Sequence, residues 1–353
     1  MKTNEGSKCA KFLSLGIESS ANKIGVGIVS SSGQILANEK MTYVGPPGSG
    51  FLPKETASFH RSHIIELVKK ALKSANVEHS SISIISYTQG PGMGAPLSVG
   101  AVVARVLSQL WGIPLVGVNH CVAHIEMGRL VTKVDNPVVL YASGGNTQII
   151  GYSNHQYKII GETLDIAIGN CIDRFARLMK LDNYPAAGYH VEKLAKKGKH
   201  FYQLPYVLKG MDLSFSGILT FGEELIISKQ QELQEKQEEL EIFYQDFCFS
   251  LQETIFAMLV EVTERAISLL SSDSILLVGG VGCNQRLIEM MELMASERNA
   301  HVCSMDDMYC IDNGAMIAHT GLLVYKCGIR TRLEDSGVSQ KFRTDQVDIL
   351  WRE

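Results

Sequence analysis

The sequence predicts an α/β protein built from two related lobes, and three observations carry that reading. Two strand-turn-strand meanders recur half a chain apart, glycine-rich loops stand at three strand ends, and amphipathic helices alternate with short apolar strands. At about 150 residues per domain, 353 residues also suggest two cores with a cleft between them.

The first meander runs from Phe12-Leu-Ser-Leu-Gly-Ile17 through a small polar turn, Glu18 to Lys23, into Ile24-Gly-Val-Gly-Ile-Val29, with a third strand near Ile35 to Thr42. The pattern restarts at Pro137-Val-Val-Leu-Tyr141, turns through Ala142 to Asn146, and continues as Thr147-Gln-Ile-Ile-Gly151 and Tyr157-Lys-Ile-Ile160. Further apolar strands are expected at Ile82 to Tyr87, Leu115 to Val118 and Ser274 to Val278. Phe247, Leu251, Ile255, Met258, Val262, Ala266 and Leu269 step by three or four, as do Leu287, Met290, Met291 and Met294, so each segment presents one apolar helical face to the core. Ser228 to Glu241, rich in Gln, Glu and Lys, reads as a solvated helical insertion packing against nothing essential, with Glu232 and Lys236 spaced for an i,i+4 pair. The expected lobes are 1–136, completed by 314–353, and 137–313.

The bulk numbers exclude several classes. A hydrophobic fraction of 45% with 20% charged residues describes a globular chain, and no apolar run reaches the length of a membrane-spanning helix. The polar opening, Met1 to Gly6, lacks the apolar stretch of a secretory signal, so an intracellular protein is expected. Eight cysteines without a C-x-x-C pair argue against a zinc ribbon or a disulfide framework. A net charge of −4 would repel a polyanion such as RNA, so nucleic-acid binding must use local patches or partner subunits.

The chemistry concentrates in a few segments. The loops Gly90-Pro-Gly-Met-Gly94, Ser143-Gly-Gly-Asn146 and Gly279-Gly-Val-Gly-Cys-Asn284 offer backbone amides to phosphate, the last at a helix start, and point to a nucleotide in the cleft. His120-Cys-Val-Ala-His124 sets two imidazoles at i and i+4 after a strand. This is metal-ligand spacing, but two ordinary helix-face histidines would be spaced the same way. Cys121 stands where a zincin has its general-base glutamate, which disfavours a metallopeptidase. The turn Ile311-Asp-Asn-Gly314 is a candidate third ligand. Asp173 and Glu192 could accept hydrogen bonds from ribose hydroxyls, as acidic residues do in dinucleotide sites, and could equally be a cap or a surface charge. His60 and His63 read as structural or solvent-facing. Lys193, Lys196, Lys197 and Lys199 form a solvated face that a polyanion entering the cleft could meet.

These segments together resemble the universal threonylcarbamoyl transferase family in its archaeal and eukaryotic-cytosolic branch, the catalytic subunit of the KEOPS complex, which also carries the inherited name O-sialoglycoprotein endopeptidase. The carriers span nearly the whole chain: Gly16-Ile-Glu-Ser-Ser-Ala-Asn-Lys23, Gly50-Phe-Leu-Pro53, Gln89-Gly-Pro-Gly-Met-Gly-Ala-Pro96, Val118-Asn-His-Cys-Val-Ala-His-Ile-Glu-Met-Gly128, Tyr141-Ala-Ser-Gly-Gly-Asn-Thr147 and Phe215-Ser-Gly217. Gly279-Gly-Val-Gly-Cys-Asn284, Asp312-Asn-Gly314 and the tail from Arg343-Thr-Asp345 to Trp351 complete them. Ser19 stands where relatives of this branch often have glycine, and Gln230 to Leu240 has no family counterpart.

The resemblance implies the duplicated actin, hexokinase and Hsp70-like (ASKHA) fold. It implies that His120, His124 and Asp312 hold one divalent metal ion, with Tyr141 a weaker ligand. Two imidazoles, a carboxylate and a phenol suit iron or zinc better than magnesium. Tyr141, Ala142, Ser143, Gly144, Gly145, Asp173, Gly188, Glu192 and Asn284 match the nucleotide-contact positions. The implied reaction moves threonylcarbamoyl from threonylcarbamoyl adenylate to the exocyclic amine of the adenosine beside the anticodon of transfer RNA, releasing AMP. The implied partners are the other KEOPS subunits, among them a small atypical kinase and a dimerisation subunit, in the cytoplasm and also the nucleus. A small-molecule kinase of the same fold is the rival enzyme, and the histidine pair argues against it. A non-catalytic scaffold is the third reading, and the intact cleft motifs argue against that.

Overall fold

The structure is a computed structural model and describes residues 12–46 and 48–352. The first half comprises β1 (Leu13–Glu18), β2 (Lys23–Ser30), β3 (Ile35–Thr42), α1 (Pro53–Ala75), β4 (Ile82–Gly90), α2 (Gly94–Trp111), β5 (Leu115–Asn119) and α3 (His120–Thr132). The second begins with β6 (Val138–Ala142), β7 (Thr147–Ser153), β8 (Gln156–Glu162), α4 (Ile168–Leu178), α5 (Ala187–Ala195) and a two-residue pair, β9 (Leu208–Lys209) with β10 (Asp212–Leu213). It continues through α6 (Ser216–Glu232), α7 (Gln237–Leu270), β11 (Ser274–Val278), α8 (Gln285–Glu297), β12 (His301–Cys303), α9 (Asp307–Cys310) and α10 (Gly314–Lys326).

The duplication is one of topology. The first sheet has the order β3-β2-β1-β4-β5 and the second the order β8-β7-β6-β11-β12. In each, an antiparallel meander is extended by two parallel strands, β4 and β5 beside β1, β11 and β12 beside β6. Parallel neighbours require crossover helices, so both sheets are covered and β1, β6 and β11 read as continuous buried runs. Their carboxyl ends, where such folds place ligands, carry Glu18, Tyr141 with Ala142, and the Gly279 loop.

Two connections bring the halves together. Helix α10 follows the second sheet in the chain but packs on β1, β2, β4 and α3 of the first. Its approach is closer than side chains allow: a Cβ on Gly27 would lie 2.2 Å from the backbone nitrogen of Ala315, and one on Gly16 2.2 Å from that of Ala318. Glycine is required at both places because the obstacle is backbone, which cannot turn aside. The tail then crosses back. Asn119 donates from its amide to the carbonyls of Phe342 and Arg343, and Asp348 bridges Gln156 at the edge of β8.

The segment Ser228 to Glu241 differs from its expected character. It is the tip of a helical hairpin, and α6 ends at Glu232 before α7 begins at Gln237. The expected Glu232–Lys236 pair cannot form across that break; Lys229 bonds Glu232 instead, and Lys236 bonds Glu239. Leu233 and Leu240 are buried in the second lobe's core, and the Gln230 amide donates to the Leu178 carbonyl and the Tyr244 hydroxyl. The tip is therefore seated rather than merely solvated. Leu269, expected in the apolar stripe of α7, is 66% exposed in its last turn, whereas Phe247 through Ala266 on that stripe are buried. Leu287, Met291 and Met294 are core, and no helix is long and apolar enough to cross a membrane among the described residues. Seven cysteines are free; Cys9 and the opening Met1 to Gly6 lie outside the described residues.

Candidate active site

Three asparagines start the helices that frame the cleft. Asn119 caps α3 by accepting from Cys121 and Val122 amides, Asn284 caps α8 through Arg286 and Leu287, and Asn313 caps α10 through Met316. Each fixes the residue beside it. Asn119 sets His120 at the first position of α3 and His124 one turn later on the same face; both are buried, with ring centroids 4.7 Å apart. Asn313 also donates to the carbonyls of Tyr309 and Ile311, which holds the turn that presents Asp312.

Asp312 Oδ1 lies 3.1 Å from His124 Nε2 and 3.5 Å from His120 Nε2, and one donor atom from each residue falls within 4.8 Å of the others. That separates two readings the spacing alone left open: the imidazoles converge on a carboxylate from the other half of the chain. The Tyr141 hydroxyl, at the end of β6, is buried without a hydrogen-bond partner, and its ring centroid lies 5.3 Å from that of His124. An orphaned buried oxygen is costly unless something fills the space it faces. A borderline transition ion fits this donor set of two nitrogens, a carboxylate and a phenol.

Glu18 stands behind His120. It is fully buried at the end of β1, and its Oε2 accepts from His120 Nδ1 at 3.0 Å and from the Thr88 hydroxyl at 2.7 Å, while Oε1 accepts from the Ser20 amide at 2.6 Å. Burial alone would push the Glu18 carboxyl up, but the charge and hydrogen bond of His120 outweigh it and hold the group below its usual range. Burial acts on Asp312 in the same upward sense and is overcome by Lys23, whose Nζ lies 3.8 Å from Oδ2, and by the two histidines. Burial pushes the His124 imidazole down, toward the neutral form a ligand needs; burial acts downward on His120 as well, but the Glu18 carboxylate outweighs it and holds that imidazole above its usual value. A carboxylate on the far nitrogen of a ligating histidine fixes the ring's tautomer and orientation. We predict that Glu18→Gln leaves folding intact and weakens metal binding by about 10- to 100-fold, read by competition with a chelator of known affinity. Unchanged affinity would make Glu18 only a strand-end anchor.

The expected nucleotide positions lie at the end of β6 and in the loop after it, on α4 and α5, and at the start of α8. Tyr141 and Ala142 end β6, and the Ala142 carbonyl accepts from the Val281 amide at 3.0 Å, which ties the Ser143–Asn146 loop to the Gly279–Asn284 loop. Ser143 Oγ accepts from the amides of Gly145 and Asn146, while space above Gly144 and Gly145 is open. Glu192 on α5 reaches the amide of Gln285 at 3.4 Å and pairs with Lys196. Gly188 precedes it by one turn, against Ile172 of α4. Burial pushes the Asp173 carboxyl up to about 6, with Arg177 and Lys23 opposing. The Asn284 amide is spent on its cap and on Gln252, so that residue shapes the loop through the backbone. Phe215-Ser-Gly217 serves the lobe's architecture: Asp165 accepts from the Ser214 hydroxyl and from the Phe215 and Ser216 amides.

The remaining candidates stay outside. His60 is buried, and burial pushes its imidazole down to about 4; His63 bonds the Phe59 carbonyl, so both are structural. Burial pushes the Cys121 thiol up to about 12, which leaves no nucleophile there. In sequence, Glu18 and Lys23 stand in a polar turn and in the Gly16–Lys23 motif, with no role of their own assigned. The available signal was a carboxylate closing an otherwise buried strand, Leu13-Ser-Leu-Gly-Ile-Glu18.

Residues 34–319 match the family described as TsaD: tRNA N6-adenosine threonylcarbamoyltransferase. A Drosophila melanogaster protein named probable tRNA N6-adenosine threonylcarbamoyltransferase is 57% identical over 343 residues, covering 96% of this chain and 99% of its own. The Homo sapiens tRNA N6-adenosine threonylcarbamoyltransferase is 56% identical over 339 residues, covering 96% and 99%. Among solved structures, T. kodakarensis HypF superposes with a TM-score of 0.60 at 13% identity over 90% of this chain and 48% of its own. Component A of Acidaminococcus fermentans (R)-2-hydroxyglutaryl-CoA dehydratase does so with 0.53 at 12% over 90% and 98%. At such identities these two structures speak to the fold alone, and the fold is the two-lobed ASKHA architecture.

Proposed function

The chain belongs to the tRNA N6-adenosine threonylcarbamoyltransferase family, and on that premise we propose how its own residues carry the transfer. It is a transferase that modifies transfer RNA. In our reading the donor is threonylcarbamoyl adenylate and the acceptor is the exocyclic amine of the adenosine beside the anticodon. The amine nitrogen attacks the carbamoyl carbon, the bond from that carbon to the phosphate oxygen breaks, AMP leaves with the electron pair, and the amine loses a proton. The observation that carries this reading is the convergence of His120, His124 and Asp312, donors from the two halves of the chain, within 4.8 Å of one another.

These three residues, with Tyr141, would hold the metal ion, for which iron or zinc suits the donors best. When bound, such an ion supplies Lewis-acid polarisation of a carbonyl or phosphoryl oxygen. The open space over Gly144, Gly145 and Gly280 would receive the donor's phosphate, and the loop amides not spent internally would meet the leaving-group charge that develops there. In this reading Asp173 and Glu192 take the ribose hydroxyls. With burial keeping the Cys121 thiol protonated, attack goes directly from amine to carbonyl without an acyl-enzyme.

A net charge of −4 supports a division of labour in which transfer RNA is gripped largely by partner subunits of a KEOPS-type complex. The deciding experiment supplies synthetic threonylcarbamoyl adenylate and an anticodon stem-loop to the chain assembled with those partners. A mass gain of one threonylcarbamoyl group on the single adenosine is expected. An unmodified stem-loop alongside intact donor would overturn the reading, and full turnover by the isolated chain at physiological salt would overturn the partner requirement.

A further inference from the structure

One feature of the cleft has no part in the chemistry above. Strands β2 and β3 pair antiparallel with Lys23 opposite Thr42, Gly25 opposite Lys40 and Gly27 opposite Asn38. Residues opposite one another, and those two apart along a strand, share a face of the sheet, so Lys23, Lys40 and Asn38 point the same way. Neighbouring contacts identify that face. A Cβ on Gly25 would meet the Gly314 amide at 2.9 Å, and Asn38 hydrogen-bonds the Met308 carbonyl and the Ala315 amide. Both lysines therefore rise toward the turn that carries Asp312.

Their roles there differ. Lys23 is engaged with Asp312 at 3.8 Å. Lys40 is half-buried and, among the described residues, its ammonium makes neither a hydrogen bond nor an ion pair. Burial, and then the neighbouring Lys23 ammonium, push it below its usual range, against the opposing pull of Asp312, Asp307 and Cys283. Two ammoniums on one partly desolvated face repel each other, and an anion seated between them relieves that cost.

The donor brings two anionic groups. Its phosphate has amide loops on the second lobe to receive it. The amino-acid carboxylate has no such partner there, and it lies at the end of the donor remote from the nucleoside. Lys40 and Lys23 project from the first lobe toward the Asp312 turn, with Cys283 of the last loop also within electrostatic reach of Lys40. We propose that Lys23 and Lys40 form the receptor for the α-carboxylate of the donor's amino-acid moiety, and thereby make an anionic acyl group a requirement of the enzyme. This rests on the functional reading above and assigns the far end of the same site.

The test compares three probes on the assembled complex: AMP, threonylcarbamoyl adenylate, and the analogue whose α-carboxylate is replaced by a primary carboxamide. Wild-type enzyme is expected to bind the carboxylate donor about 10- to 100-fold more tightly than the carboxamide, the range a charge-assisted pair supplies. Lys40→Met should erase most of that preference by weakening only the carboxylate donor, with AMP affinity unchanged, and Lys40→Arg should restore it. Melting temperature checks that each variant is folded; should Lys40→Met not fold, Lys40→Gln takes its place. A preference undiminished in the folded variant would overturn the proposal, as would an equal loss of AMP affinity, which would place the ammonium on the phosphate. Because binding is read without turnover, failure of the transfer reaction would sink the functional reading while the carboxylate preference still decides the lysines' role.

Discussion

His124→Ala and Asp312→Ala chains are expected to fold, to lose their bound metal, and to transfer at least about 100-fold more slowly within the assembled complex. Either change takes one ligand from a three-residue set whose donor atoms lie within 4.8 Å of one another. The ligands come from α3 and from the turn before α10, elements almost two hundred residues apart in sequence, so no neighbour can substitute for the missing one. Losing a residue that only hydrogen-bonds a ligand already costs about 10- to 100-fold in metal affinity, and losing a ligand costs more. The folding cost should be smaller. Asp312 in the metal-free protein holds histidine partners and Lys23 rather than any core packing. Elemental analysis of the purified variants and a transfer assay are the measurements. Wild-type metal content and rate in both variants would return His120 and His124 to the status of helix-face residues. Metal lost while AMP binding persists would confine the ion's part to activating the acyl group.

Gly27→Val is expected to be the most damaging single change outside the ligands. The first carbon of the new side chain would lie 2.2 Å from the Ala315 nitrogen and 2.5 Å from its Cα, so helix and strand must part. Inserting carbons into a packed core typically costs about 1–3 kcal/mol where side chains can adjust. Here the obstacle is backbone on both sides, and the cost should exceed about 3 kcal/mol, seen as a large fall in melting temperature or a chain that fails to accumulate in soluble form. Because α10 begins two residues after Asp312, any surviving protein should also bind metal poorly. Gly337→Ala is the control, since a Cβ there meets nothing within 4 Å. A Gly27→Val protein with wild-type melting temperature and metal content would refute the close-approach argument.

The sequence made the strands legible because β1, β6 and β11 are short apolar runs, too short for a typical helix, bounded by polar or glycine-rich turns. The histidine pair was legible as spacing and ambiguous as chemistry. Its resolution needed the turn at Asp312, which only the crossing of α10 onto the first sheet brings within 3.1 Å of His124. Glu18 escaped notice because a carboxylate in a polar turn looks solvated, whereas here the turn closes over it and the Thr88 hydroxyl and His120 imidazole satisfy it. Composition misled at Ser228 to Glu241 for the opposite reason: twelve polar residues outweighed Leu233 and Leu240, yet those two leucines decide where the tip sits. Leu269 kept the apolar period of α7 beyond the point where the helix leaves the core, and periodicity carries no signal for where a contact surface ends. The orphaned Tyr141 hydroxyl is likewise a property of packing, invisible in the identity of the residue.

The cap at the start of α10 has a consequence for how this protein ages. Asn313 and Gly314 form the sequence's single Asn-Gly pair, the dipeptide in which a flexible backbone most readily lets the following amide nitrogen attack the side-chain carbonyl and convert asparagine to an acid. In the folded chain that reaction is blocked. The Asn313 side chain is wholly buried, its oxygen is held by the Met316 amide and its nitrogen by the Tyr309 and Ile311 carbonyls, and Gly314 is pinned against Val26 and Gly27. Unfolding frees all of these groups at once. A preparation stored under conditions that open the lobes even briefly should accumulate acid at position 313, adding one negative charge beside Asp312 and stripping the helix of its amide donor to those carbonyls. The damage would register as a slow, irreversible drift in charge and activity, and a chain held tightly folded would escape it.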